Sequence, residues 1–98
     1  MSQDFQQAVG ILSQSEQKFT KLVEDAKTSI TFKAEMLYAS TAMMNNEYLA
    51  GVAVKNPMSL RSAFQQVAAC GLTLNPARGL AYLVPRDGQV LLEFHTAE

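Results

Sequence analysis

The segment over 56–71 constrains the fold more than any other part of the sequence. Asn56 and Pro57 stand together at its start, and Gly71 stands at its end. Asparagine is a favoured N-cap because its side chain accepts a hydrogen bond from a free N–H of the first turn. Proline suits the first helical position, and glycine readily adopts the left-handed conformation that ends a helix. The pattern therefore predicts a helix over 57–70.

Two apolar runs follow this helix, and the dipeptide Asp87-Gly88 separates them. Asp-Gly between two apolar runs is the usual signal for a two-residue type I′ turn. It predicts a β-hairpin in which 81–86 pairs with 89–94. Because a lone hairpin is marginal in water and its edges can pair with another chain, we expect 89–94 to pair across a subunit contact or to pack on the N-terminal helices.

Three more helices are predicted upstream, over about 4–11, 14–27 and 32–45. In the first two, apolar residues recur at positions i, i+3, i+4 and i+7, which is one face of an amphipathic helix. Ser13 and Glu16 have the spacing of a capping box for the second helix. Thr31 stands where it could cap the third.

The order of these elements indicates the fold class. Helices come first and strands last, which is typical of an α+β fold. The stretch over 48–54 is apolar and fits either a short helix or extended chain. With 98 residues, the chain is predicted to be a single domain over 1–98.

Groups for catalysis are sparse. The chain has one histidine, His95, and one cysteine, Cys70, whereas a zinc site needs three or four such ligands. We expect His95 to be an exposed tail residue and Cys70 to be a small buried apolar residue. The glycines match neither the P-loop nor the dinucleotide-binding spacing. The sequence therefore predicts no catalytic residue, no metal and no cofactor, and no use of ATP.

The hydropathy pattern bears on location. No apolar segment has the roughly 20 residues of a membrane span, and no N-terminal run resembles a signal peptide. The lone Cys70 rules out a disulfide within one chain. We therefore expect a cytoplasmic protein with no membrane partner.

Charge is distributed unevenly along the chain. The formal net charge of −1 does not by itself indicate a nucleic-acid binder. The stretch over 48–86 nevertheless contains no acid and four bases, and clustered bases can contact phosphates. A core-rich segment in which acids are disfavoured explains the same pattern equally well. The four bases are Lys55, Arg61, Arg78 and Arg86.

Three tyrosines could stack on nucleic-acid bases, as aromatic side chains do in single-strand binders. They are Tyr38, Tyr48 and Tyr82. Tyr82 lies in an apolar predicted strand, so a half-buried structural role fits it better than stacking.

Four short stretches occur in a familiar order over 56–94. They are Asn56-Pro57-Met58-Ser59, Cys70-Gly71-Leu72, Leu74-Asn75-Pro76, and the Gly-Leu-Ala-Tyr-Leu-Val-Pro run over 79–85. In residue identity, order and spacing this segment resembles the N-terminal part of RecT-family phage proteins, which anneal single-stranded DNA.

The resemblance implies a function. RecT-like proteins bind single-stranded DNA, anneal complementary strands without ATP in homologous recombination and DNA repair, and assemble into homo-oligomeric rings or filaments. They often work beside a phage exonuclease, in the cytoplasm of a bacterial host cell. On this interpretation Lys55, Arg61, Arg78 and Arg86 are the candidate DNA-binding residues. Arg78 and Arg86 are the strongest because they flank the hairpin.

The resemblance to RecT-like proteins ends after the hairpin. Family members continue past the hairpin into a Gly-Tyr-Lys-Gly-like turn and a helix, whereas here Phe94 is followed by His95-Thr96-Ala97-Glu98. It therefore implies part of a larger RecT-like fold, in a truncated form of the annealing protein. The alternative is a protein-interaction module that self-associates, or that co-assembles with a full-length annealing protein and regulates it.

Overall fold

Helices precede strands in the structure, which confirms the α+β fold. The computed structural model describes residues 3–94, so His95 lies outside the described residues. Five helices lead into a two-stranded antiparallel hairpin. The elements are α1 (Gln3–Ser13), α2 (Glu16–Ala26), α3 (Phe32–Met44), α4 (Glu47–Lys55), α5 (Pro57–Cys70), β1 (Ala81–Arg86) and β2 (Gln89–Phe94).

The apolar stretch over 48–54 belongs to a helix, α4. Asn46 caps it, because the Asn46 Oδ1 accepts a hydrogen bond from the Leu49 N–H at 3.1 Å. Asn45 is the C-cap of α3, so two consecutive asparagines separate two helices. Hydropathy alone leaves open whether 48–54 is helical or extended, and the Asn46 cap accounts for the helix.

The boundary between α1 and α2 differs from the prediction. Ser13 is the last residue of α1, and its hydroxyl donates to the Val9 carbonyl at 3.0 Å. The N-cap of α2 is Ser15, whose side chain makes no capping hydrogen bond. The predicted capping box of Ser13 and Glu16 is therefore wrong, because the Ser13 hydroxyl is already satisfied within the preceding helix.

Three phenylalanines from three helices form the centre of the core. The rings of Phe19 in α2 and Phe64 in α5 are 4.6 Å apart between centroids, and Phe32 of α3 meets Phe19 edge-on at 5.7 Å. Phe19 and Phe64 are fully buried. Such aromatic pairs contribute about 0.5–1.5 kcal/mol beyond the area that they bury. The buried faces of α2 and α5 therefore meet each other.

The end of α5 is fixed by a close approach of two chain segments. Gly71 has φ +71°, as predicted for the residue that ends this helix. A Cβ on Gly71 would lie 2.5 Å from the Thr28 Cγ2, so the site excludes a side chain for a second reason.

The neighbouring Cys70 is exposed, and the expectation of a buried cysteine is therefore wrong. The buried face of α5 ends at Ala68, before Cys70.

The hairpin has the predicted register. Arg86 pairs with Gln89 beside the turn, and Ala81 pairs with Phe94 at the open end. Asp87 and Gly88 have φ of 51° and 75°, which are the positive values that a type I′ turn requires. The hairpin packs on α4 and α5 of the same chain.

Candidate nucleic-acid interface

The start of α5 holds the hairpin in place. The Asn56 Oδ1 accepts from the Ser59 N–H at 3.3 Å, and the Asn56 side-chain amide donates to the Gly88 carbonyl at 3.3 Å. The Ser59 hydroxyl donates to the Asn56 carbonyl at 2.8 Å and accepts from the Val90 N–H at 2.9 Å. Two residues that cap the helix therefore also fix the turn and the free side of β2.

The hairpin presents one face to solvent, which we call the outer face. It carries alternate residues of both strands: Tyr82, Val84, Arg86, Gln89, Leu91 and Glu93. The opposite face is turned to the core, and Ala81, Leu83 and Val90 on that face are buried. Tyr82 is 39% exposed and Leu91 is 40% exposed. Tyr82 is therefore about half-buried, as the sequence indicates, while part of its side chain remains exposed to solvent.

Two of the four predicted DNA-binding residues lie at the turn end of the hairpin. Arg86 flanks the turn directly. Lys55 is exposed and precedes Asn56, whose side chain bonds to Gly88 in the turn. The structure therefore brings Lys55 and Arg86 to the same end of the hairpin.

Arg78 lies at the opposite end, in the loop that leads into β1. The neighbouring Gly79 lies under Tyr82, because a Cβ on Gly79 would be 3.5 Å from the Tyr82 hydroxyl. The Tyr82 hydroxyl thus reaches the residue that follows Arg78 in the loop. Since a strand advances about 3.3 Å per residue, the five steps from one end of β1 to the other span about 17 Å.

Arg61 is placed elsewhere. Its guanidinium Nη2 donates to the Gln14 Oε1 at 2.9 Å. Gln14 lies in the short link between α1 and α2. Arg61 therefore connects α5 to that link, and the structure does not bring it together with the other three bases.

The predicted DNA-binding cations differ in whether another side chain already pairs with them. Arg86 forms an ion pair with Glu93, with 2.6 Å between the Nη2 and Oε2 atoms and both side chains about half exposed. An exposed pair of this kind contributes about 0–1 kcal/mol, so a competing phosphate can displace it. Within residues 3–94, the side chains of Lys55 and Arg78 have no hydrogen-bond or ion-pair partner. Their charges are available to a ligand.

One buried acid shapes the loop that carries Arg78. Glu35 on α3 is 1% exposed, and its carboxylate accepts from the Thr73 hydroxyl at 2.6 Å and from the Leu74 N–H at 2.7 Å. The Thr73 Oγ1 in turn accepts from the Asn75 N–H at 3.1 Å. The Asn75 Oδ1 accepts from the Ala77 N–H at 3.0 Å. This chain of hydrogen bonds runs from α3 to the residue before Arg78.

Sequence reasoning missed Glu35, although a signal was present. Glu35 is three residues after Phe32 and four before Ala39, so it falls on the apolar face of α3. An acid on such a face requires a buried partner. The partner, the loop after α5, could not be identified because it lies far away in the sequence.

In the part of the chain that the structure describes, no group of three His, Cys, Asp or Glu side chains could hold a metal ion. None of the helices there is long and apolar enough to cross a membrane. In comparisons with known proteins, no family model, no curated protein and no solved structure matches this chain.

Proposed function

We propose that this protein binds single-stranded DNA on the outer face of its hairpin and serves ATP-independent strand annealing of the phage recombination type. The observation that carries the proposal is the position of Tyr82. Its partly exposed side chain reaches Gly79, the residue after Arg78, and Lys55 and Arg86 lie at the far end of the same hairpin.

This arrangement suits a single strand for two physical reasons. Cations at the two ends of the hairpin can each neutralise a phosphate of a bound strand, which releases counterions and favours binding. Between them, Tyr82 offers a flat ring on which a base of any sequence can stack, an interaction worth about 1–3 kcal/mol. Neither interaction requires a nucleotide cofactor, and neither depends on base identity.

The resemblance of 56–94 to RecT-like proteins supports the annealing part of the proposal. Asn56 and Ser59 belong to the stretch that carries the resemblance, and their side chains position the hairpin. The Gly79-to-Pro85 stretch contributes Tyr82 itself. The residues behind the resemblance are therefore those that build and orient the outer face.

The proposal is tested by the fluorescence anisotropy of a labelled oligothymidylate at low salt. We expect binding that weakens with salt, with a slope of about −0.7 in log affinity against log salt for each phosphate neutralised. Arg78→Ala should reduce the magnitude of the slope by about 0.7. Tyr82→Ala should weaken binding by about fivefold to 150-fold, as lost stacking predicts.

Lys18→Ala is the matched control, because Lys18 is an exposed cation on α2. It should bind like the wild-type protein. Annealing is then followed by energy transfer between two labelled complementary strands without ATP. The proposal fails if the wild-type protein gives no anisotropy change at low salt, or if Arg78→Ala and Lys18→Ala weaken binding equally.

A further inference from the structure

The loop between α5 and β1 contains a turn over 75–78 that ends at Arg78. The Arg78 N–H donates to the Asn75 carbonyl at 3.0 Å, which closes the turn. Asparagine suits the first position of such a turn and proline the second, where Pro76 lies. The Asn75 Oδ1 also accepts from the Ala77 N–H at 3.0 Å. Two hydrogen bonds to Asn75 therefore hold the backbone that leads to Arg78.

Thr73 connects this turn to the helical core. Its hydroxyl donates to the Glu35 Oε2 at 2.6 Å, a length typical of a hydroxyl bound to a carboxylate. The same hydroxyl oxygen accepts from the Asn75 N–H at 3.1 Å. Because a threonine hydroxyl has one proton and two lone pairs, it can donate to Glu35 and accept from Asn75 at once. Thr73 is therefore the link between a buried acid of α3 and the first residue of the turn.

The Arg78 side chain lies beside the same group of residues. The lining of one cavity of about 330 Å³ includes Glu35, Thr73, Asn75 and Arg78. In the part of the chain that the structure describes, Arg78 forms no ion pair with Glu35. The carboxylate accepts instead from the Thr73 hydroxyl and the Leu74 N–H. An acid thus holds the loop while the cation of the loop remains available to a ligand.

We propose that Thr73 is a positioning residue for DNA binding, an inference that rests on the proposed function. Its hydroxyl, held by Glu35, fixes the turn so that Arg78 is already oriented when a phosphate arrives. A cation on a loosely held loop has to be ordered at the moment of binding, and this ordering lowers the affinity. Thr73 therefore strengthens binding through Arg78 and does so without contacting the strand.

The test compares two substitutions of Thr73. Thr73→Val removes the hydroxyl and keeps the shape of the side chain, and it should weaken oligothymidylate binding at low salt about threefold to tenfold. Thr73→Ser retains the hydroxyl and should bind like the wild-type protein. Thr20→Val makes the same change at an exposed position of α2 and should leave the affinity unchanged.

A double variant shows whether Thr73 acts through Arg78. Arg78→Ala removes the cation that the loop presents, so the addition of Thr73→Val should cause no further loss of affinity. A general structural role of Thr73 would weaken binding by the same factor with and without Arg78. Far-ultraviolet circular dichroism checks that each variant remains folded.

Hydrogen exchange of the free protein measures the order of the loop without DNA. Thr73→Val should speed exchange of the Asn75 amide, which loses its acceptor. It should also speed exchange of the Ala77 amide, whose acceptor is Asn75. The Ala77 amide thus reports the turn as a whole rather than the single lost bond. Thr73→Ser should leave both amides protected.

A second variant carries the test if Thr73→Val does not fold. Asn75→Ala removes the acceptor of the Ala77 N–H, at the other end of the same chain of hydrogen bonds. Asn75 is only partly buried. The substitution should weaken oligothymidylate binding by a similar factor, again only where Arg78 is present.

Three results would overturn the inference. The first is wild-type affinity of Thr73→Val under conditions in which Arg78→Ala weakens binding. The second is an equal loss of affinity from Thr73→Val with and without Arg78. The third is unchanged exchange of the Ala77 amide. An absence of binding by the wild-type protein would instead overturn the proposed function, and the exchange measurement then decides separately whether Thr73 orders the loop.

Discussion

The carboxylate of Glu35 accepts a hydrogen bond from the backbone N–H of Leu74 at 2.7 Å, across 39 residues of sequence. Because Glu35 is buried on α3 and Leu74 lies in the loop between α5 and β1, this bond ties the loop to the helical core. The same loop presents Arg78 and leads into the strand that carries Tyr82. One buried acid therefore supports the loop that presents Arg78 at one end of the proposed DNA surface.

Removing this acid should destabilise the protein. Glu35→Ala leaves the Leu74 N–H and the Thr73 hydroxyl without their acceptor, and each unsatisfied buried donor costs about 1–3 kcal/mol. We expect urea denaturation to show a free energy of unfolding lower by about 2–4 kcal/mol. Glu24→Ala, an exposed acid on α2, should change it by less than about 0.5 kcal/mol. Equal effects of the two substitutions would show that the Glu35 contacts contribute nothing.

Gly71 should be intolerant of any side chain. Gly71→Ala forces an L-residue into φ +71°, at about 1–2 kcal/mol, and places its Cβ against Thr28, which adds about 1–3 kcal/mol of overpacking. Gly88→Ala has the same left-handed strain at φ +75° but open space around it. Thermal and urea denaturation should therefore rank Gly71→Ala below Gly88→Ala in stability. The reverse order would mean that Thr28 moves aside without cost.

The Ser59 hydroxyl should hold β2 in place. Ser59→Ala removes the acceptor of the Val90 N–H, at about 1–2 kcal/mol of stability, and should speed hydrogen exchange of the Val90 amide. Ser62→Ala, an exposed serine one turn later on α5, is the matched control and should leave that amide unchanged. Val90 exchange that is the same in both variants would argue against docking of the hairpin through Ser59.

Much of this fold follows from short-range signals. Asn56, Pro57 and Gly71 bracket α5 as predicted, and Asp87-Gly88 sets the hairpin register to the residue. In both cases one side chain or one positive φ determines the local structure. The prediction is wrong at Ser13 because a serine can bond within the helix that it ends as well as cap the next one.

The site was less predictable because its contacts are long-range. The pairing of Arg61 with Gln14 spans 47 residues, and that of Glu35 with Thr73 spans 38. No periodicity indicates such partners. The Arg86–Glu93 pair is different, since both residues fall on the outer face of the predicted register. The predicted register therefore places Arg86 and Glu93 on the same face of the hairpin. The sequence reasoning missed the pair because it considered only the acid-free stretch over 48–86, which does not include Glu93.

The Arg86–Glu93 pair should restrain DNA binding. Glu93→Gln removes the acid from the outer face and frees Arg86 for a phosphate. We expect oligothymidylate affinity to rise, because a phosphate no longer competes with the Glu93 carboxylate for Arg86. Glu47→Gln changes the net charge equally at an exposed position at the start of α4 and serves as control. If both variants bind more tightly by the same factor, net charge rather than Arg86 is responsible.

The most direct test of the central claim, that a DNA strand stacks on the outer face, places a tryptophan at the proposed contact. The sequence contains no tryptophan, so Tyr82→Trp gives a single indole there, and Gln17→Trp gives one at an exposed position of α2 as control. On titration with oligothymidylate, stacking should quench the indole emission of the Tyr82→Trp variant over the same concentrations that raise the anisotropy, with no change in the control. Full anisotropy change without quenching in the Tyr82→Trp variant, or equal quenching in both variants, would contradict the claim.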